Sequence, residues 1–192
     1  MALRREFKPD KLGSSWLSKL YLTRQQRRTI LKWVVYLILL VLVSLVQDVI
    51  LCRFRLWGAA TDLVPCLLLL ICITEGAEGG GVFALLGALY YLYSGTAPGP
   101  YVVALIPVIG IPLSILRQAY LRKGFLTALI CLIPAMVLYE LGVFAFGMFL
   151  ERTFAWRLMG FLLSALLSML AVPVMYPVCR LIHKIGGKLW NE

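Results

Sequence analysis

From Thr29 almost to the C-terminus, apolar runs follow one another with no polar stretch between them long enough to fold by itself. In lipid every backbone N–H and C=O must find its partner within the protein, so a chain of this pattern is restricted to membrane helices or a closed barrel. Runs of this length, without strict alternation, specify helices. The composition points the same way: 61% hydrophobic and 15% charged residues, with a mean hydropathy of +0.90, lie outside the range of a soluble domain. The expected fold class is an all-α polytopic membrane protein. A basic cytoplasmic segment is expected over 1–28, a transmembrane domain over 29–182 and a short basic cytoplasmic tail over 183–192.

A crossing needs about 20 apolar residues, because a helix rises about 1.5 Å per residue and the hydrocarbon layer is about 30 Å thick. Ile30 to Cys52 meets this, interrupted only by Lys32, Gln47 and Asp48. Leu63 to Ile73 is short and reaches spanning length only if Leu56 to Ala60 and Asp62 are included. After the EGAEGGG break at Glu75 to Gly81, a third run extends from Val82 to Ser94 and ends at the turn-forming SGTAPGP. Tyr101 to Leu116, Phe125 to Leu150 and Leu158 to Cys179 complete six, the last with Pro173 and Pro177 in its final turns.

Charge decides between six spans and five. Lys and Arg outnumber Asp and Glu by 19 to 9, giving +10. In a soluble chain that would suggest nucleic acid; in a polytopic one it reports orientation. Six spans with both ends inside place 15 of the basic residues in the cytoplasm and leave Arg53, Arg55, Arg152 and Arg157 outside. Five spans divide them 11 to 8, a much poorer fit to the positive-inside rule. Six spans, N-terminus in and C-terminus in, is the expectation.

Carboxylates within or beside the bilayer are the natural site candidates, since an isolated charge there is costly. Glu140 lies well inside the fifth span, as a proton or substrate group, a contact to another helix, or a structural hydrogen bond. Gln47, Asp48 and Asp62 lie near the outer ends of the first two spans, with Arg53 and Arg55 between them available for neutralisation. Glu75 and Glu78 fall on the cytoplasmic side with Arg117, Arg122 and Lys123, and pairing among these is expected.

Small residues recur four apart at Gly76, Gly80, Ala84 and Ala88, and at Gly160, Ser164 and Ser168. Such ladders allow helices to approach closely, within one bundle or in a homodimer. The first span is almost wholly Leu, Val and Ile between Trp33 and Val46, and faces lipid or a partner helix. Trp16, Leu17, Leu20 and Tyr21 lie among the N-terminal basic residues, either as an interfacial helix on anionic lipid or an acidic partner, or as a topology-setting tail. Tyr90, Tyr91, Tyr93 and Tyr101 form an expected aromatic belt at the outer interface.

No catalytic constellation is recognisable. His183 has no carboxylate or serine near it in sequence, and Cys52, Cys66, Cys72, Cys131 and Cys179 form no CxxC pair. The EGAEGGG stretch has no Lys-Ser or Lys-Thr and leads into a membrane helix, unlike a phosphate-cradling loop. No cofactor or metal is expected.

Gln47 near the end of the first span, Gly58 in a short apolar-basic loop, Thr61-Asp62-Leu63 opening a Leu-rich span, Gly79 to Gly81, Gly87, and Ser94-Gly95 at the exit of the third span form a pattern. It resembles the MreD family of rod-shape-determining membrane proteins. The likeness continues through Arg117 and the basic loop after it, covering roughly Leu31 to the sixth span. The chain departs from the family in having Thr61 where proline is common, and Tyr90 and Tyr91 where an acidic residue is usual.

The resemblance implies a non-catalytic subunit of the elongation machinery in a bacterial inner membrane. Such a subunit binds the single-span protein MreC, and through it links MreB filaments to the peptidoglycan polymerase and transpeptidase. The family is also similar in fold to the six-helix substrate-binding subunits of energy-coupling-factor vitamin transporters, which supplies the alternative function. That alternative requires a docking face of alanines in the first span, and Ile30 to Cys52 contains none.

Overall fold

The computed structural model describes residues 24–51, 61–120 and 124–185. Trp16 to Tyr21, Arg53, Arg55, Leu56 to Ala60, Arg122, Lys123 and the tail from 186 onward lie outside the described residues, as do the expectations that rest on them.

Among the described residues there are seven α-helices: α1 (Arg24–Val49), α2 (Leu63–Glu75), α3 (Ala77–Tyr93), α4 (Val102–Tyr120), α5 (Phe125–Phe149), α6 (Leu158–Met169) and α7 (Val172–Ile185). Three stretches, Gln26–Val49, Val102–Tyr120 and Phe125–Phe149, are long and apolar enough to cross a membrane; a fourth arises if α6 and α7 count as one bent span. The protein is therefore an all-α, multi-pass membrane protein.

The shortest of the apolar runs occupies the centre. Every residue of α2 from Leu63 to Ile73 is buried, and α2 touches all six other helices. Its 13 residues span only about 20 Å at 1.5 Å per residue. That is less than the hydrocarbon thickness, and buried side chains of neighbouring helices bond to backbone groups at both ends. The Asp62 N–H donates to Ser168 Oγ at 2.9 Å and the Val64 N–H to Gln47 Oε1 at 3.0 Å. Pro65, in the first turn, has no N–H to satisfy. At the other end Arg117 Nη1 donates to the Ile73 carbonyl at 2.6 Å.

The chain passes back and forth between two ends of the bundle. Lys32 of α1 meets Glu75 of α2 while Gln47 meets Val64, so these two helices are antiparallel. Only Gly76 separates α2 from α3. Its φ of +98° is in the left-handed region that a Cβ disfavours, which allows the chain to reverse within one residue. Helix α3 therefore starts at Ala77 and absorbs Glu78 to Gly81, where the sequence suggested a break continuing to Gly81. A Cβ on Gly80 would lie 2.7 Å from the Cα of Cys72, so α2 and α3 pack backbone against backbone.

The sixth apolar run is not one continuous helix, as the sequence suggested. It divides at Leu170 and Ala171 into α6 and α7, which meet at 50°. Pro173 explains the break: lacking an N–H, it cannot bond to the carbonyl of Met169, and its ring disfavours the preceding turn. Helix α7 then continues to Ile185, carrying His183 inside it.

Helix α1 lies at the periphery. Lys32, Tyr36, Leu40, Val43, Ser44 and Gln47 form its buried stripe, whereas Val34, Leu37, Ile38, Leu42, Leu45 and Val49 are exposed. This is the spacing of one inward face and one lipid-facing or partner-facing side.

Candidate functional site

Two polar clusters flank α2. The first, at its C-terminal end, is an ion cluster closed by three helices. Lys32 Nζ of α1 donates to Glu75 Oε2 at 2.6 Å, with both side chains at least nine-tenths buried. The Lys32 ammonium also lies 4.9 Å from the centre of the Trp33 ring, a favourable cation–π distance. The Tyr36 hydroxyl is 2.6 Å from Glu75 Oε1 and 3.1 Å from the Cys179 carbonyl. One proton serves one acceptor best, and the shorter contact to the charged oxygen takes it. His183 of α7 approaches Glu75 Oε1 through Nδ1 at 3.1 Å; a carboxylate only accepts, so Nδ1 carries the proton.

This cluster corrects two sequence expectations. Glu75 pairs with Lys32, Tyr36 and His183, and Arg117 turns to the Ile73 carbonyl instead of to Glu75; Arg122 and Lys123 lie outside the described residues. His183, with no acid near it in sequence, acquires one 108 positions away. Lys32 interrupts an otherwise apolar run and Glu75 ends another; those two breaks were the signal, but separation along the chain hid that they meet.

The second cluster surrounds the N-terminal end of α2 and contains most of the residues singled out from sequence. Glu140 of α5 is 2% exposed and accepts a hydrogen bond from Ser164 Oγ of α6 at 2.8 Å. Asp62 lies within electrostatic reach of Glu140, and Ser168 accepts from the Asp62 backbone N–H. Gln47 is buried and caps Val64, whereas Asp48 beside it is half-buried. Two tyrosines complete the group. Tyr91 of α3 and Tyr139 of α5 are fully buried, Tyr91 beside Gln47, and the Tyr139 hydroxyl has no hydrogen-bond partner among the described residues. Tyr91 therefore departs from the expected belt, whereas Tyr93 is 90% exposed. Its alternation with exposed Tyr90 was the missed signal.

The small-residue ladders divide by role. Gly76 forms the reversal, Gly80 meets Cys72, and Ala84 and Ala88 are fully buried, so the first ladder packs α3 inside the bundle. In the second, Ser164 and Ser168 are buried as hydrogen-bonding groups, while a Cβ on Gly160 would meet nothing within 4 Å. Gly160 thus takes no part in the helix packing expected of it.

Two buried polar clusters joined by a central apolar helix define a multi-pass helical membrane protein whose polar groups hold helices together at chosen depths. No protein-family model, no curated protein and no solved structure matches this chain.

Proposed function

We propose that this protein is a non-catalytic scaffold subunit of the bacterial cell-elongation machinery. It crosses the inner membrane six times with both ends in the cytoplasm. It binds MreC and so links MreB filaments to the enzymes that polymerise and cross-link peptidoglycan. The observation that carries the proposal is the convergence of the residues behind the family resemblance. Gln47 caps α2, Asp62 precedes it, Gly80 meets Cys72 and a Cβ on Gly87 would run into Leu68. Residues that are scattered over the sequence pattern thus build one α1–α2–α3 unit, which supports reading the pattern as a fold signature. A scaffold also suits polar groups that are engaged with one another across helices, as at Glu75 and Glu140. The exposed aliphatic side of α1 offers surface for a single-span partner.

The test is to tag the protein at its native level, extract it in mild detergent and identify the copurifying proteins by mass spectrometry. Recovery of MreC with cell-wall synthases is expected, and Asp62→Ala or Glu140→Ala should reduce it several-fold. Recovery of a pair of ATPases with a coupling membrane protein would overturn the proposal in favour of a transporter's substrate-binding subunit. Normal partner recovery and normal cell shape with both residues replaced would remove Asp62 and Glu140 from the assembly role.

A further inference from the structure

The loop that joins α5 to α6 has a fixed shape. The Glu151 N–H donates to the Met148 carbonyl at 3.0 Å, the Arg152 N–H to the Gly147 carbonyl at 2.9 Å and the Thr153 N–H to that same carbonyl at 3.2 Å. This is the pattern of a helix that ends on a left-handed residue, a position usually given to glycine. Here Glu151 takes it with a φ of +54°, a conformation that a Cβ disfavours. A single 3-10 turn over Ala155–Arg157 then leads into α6. The loop so fixed holds large apolar side chains outward: Phe149, Phe154, Trp156 and Met159 are each at least two-thirds exposed.

Water is a poor surrounding for such a cluster, and its depth indicates what covers it. Two contacts set the antiparallel register of α4 and α5. A Cβ on Gly142 would lie 2.7 Å from Leu105 Cδ2, and the Tyr101 and Phe146 rings stack with their centres 4.9 Å apart. Four residues along one helix therefore match four along the other. Carried towards the opposite end, this register sets Arg117 level with Ile130. Arg117 bonds to the Ile73 carbonyl, two residues before the Glu75 ion cluster. From Ile130 to Phe149 the helix rises about 28 Å at about 1.5 Å per residue, against about 30 Å for the hydrocarbon layer. With the ion cluster at one boundary of the hydrocarbon, the loop lies at the other. Thr153 folds back against Gly147, so the loop stays at that level.

Its charges fit the boundary. Arg152 and Arg157 are exposed beside the apolar groups, and outnumber the one acid of the loop, Glu151. The Arg157 guanidinium lies 5.5 Å from the centre of the Trp156 ring, within cation–π reach. An indole beside a guanidinium suits the headgroup level, where the ring meets the edge of the hydrocarbon and the planar fork of donors meets lipid phosphate.

We propose that the α5–α6 loop is a lipid anchor. Phe149, Phe154, Trp156 and Met159 enter the interfacial layer of the leaflet opposite Glu75, and Arg152 and Arg157 bind phospholipid phosphates there. The anchor sets the height of α5 and α6 in the bilayer. The inference rests on the chain's being a multi-pass membrane protein and is independent of the scaffold function.

The experiment uses the full-length protein, labelled with fluorotryptophan, in nanodiscs of phosphatidylethanolamine and phosphatidylglycerol. The fluorine signal of Trp156 is the one lost in Trp156→Phe, an exposed position whose replacement leaves the core intact. Its depth is read from paramagnetic broadening by nitroxides on the lipid headgroup, high on the acyl chain or near the chain end, and by a water-soluble gadolinium chelate. The headgroup or upper-chain nitroxide should broaden it most, several-fold more than the chain-end nitroxide or the chelate. Strongest broadening by the chelate would place the loop in water, strongest broadening from the chain end would bury it in hydrocarbon, and protection from all four would mean that a protein surface covers it. Each of these overturns the proposal. Replacing both cations, in Arg152→Gln/Arg157→Gln, should lower the headgroup broadening several-fold; a signal as deep and as broad as in the wild type overturns the phosphate contact.

Discussion

At its C-terminal end α2 carries Glu75, enclosed with a lysine, a tyrosine and a histidine; at its N-terminal end Asp62 faces Glu140 and two tyrosines with no cationic side chain among the described residues. The same short helix thus has a carboxylate at each end, Glu75 buried and paired with a lysine, Asp62 half-buried and without a cationic partner among the described residues. A buried ion pair contributes modest net stability, since desolvation offsets most of the attraction, yet removing one partner leaves a bare charge and is very costly.

The largest expected effect lies at the compensated end. Lys32→Met should destabilise the folded protein by about 3–5 kcal/mol, because it strands Glu75 without its ammonium. Chemical unfolding in detergent checks this, and adding Glu75→Gln to Lys32→Met should restore most of the loss. A full-sized loss that the second change does not relieve would mean Lys32 acts through packing on Trp33 and not through charge.

Next comes the packing between the two ends. Gly80→Val forces a side chain against the backbone of Cys72 and should cost about 1–3 kcal/mol or more. The same unfolding assay reads it, and an unaffected midpoint would mean that α3 can withdraw from α2 freely.

A smaller effect is expected at the N-terminal end. Glu140→Gln keeps an acceptor for Ser164 and removes a charge that has no cationic partner among the described residues, so the change should stay below about 1 kcal/mol. A loss equal to that of Lys32→Met would abolish the contrast between the ends. Smallest of all is Gly160→Ala, which adds a methyl group in open space and should shift stability by no more than about 0.5 kcal/mol. A marked fall in self-association without a fall in stability would instead place Gly160 on an interface between copies.

How far these features could be read in advance differs residue by residue. The helix limits of α5 followed from a long apolar run, and the exposed side of α1 from its abundance of Leu, Val and Ile. Glu140 and Gln47 stood out as polar groups in apolar runs and Ser164 and Ser168 only as small residues four apart, yet all four proved to be hydrogen-bonded across helices. The partners of Glu75 and His183 did not stand out, since nothing in a local pattern reveals which helix ends share a depth. The α6–α7 break was signalled by Pro173 but not its position, because a proline in a membrane helix is often accommodated by a bend alone.

The sequence by itself determined that this chain is helical, apolar and multi-pass, because hydropathy and run length act locally and each helix satisfies its own backbone. Only the tertiary structure decided that the shortest run would be the central one. In lipid no hydrophobic gradient distinguishes a buried Leu from an exposed one, so Leu67 and Leu42 are equivalent in the sequence. What draws α2 inward is the need to satisfy its truncated ends. The groups that do so, Gln47, Arg117 and Ser168, come from three other helices.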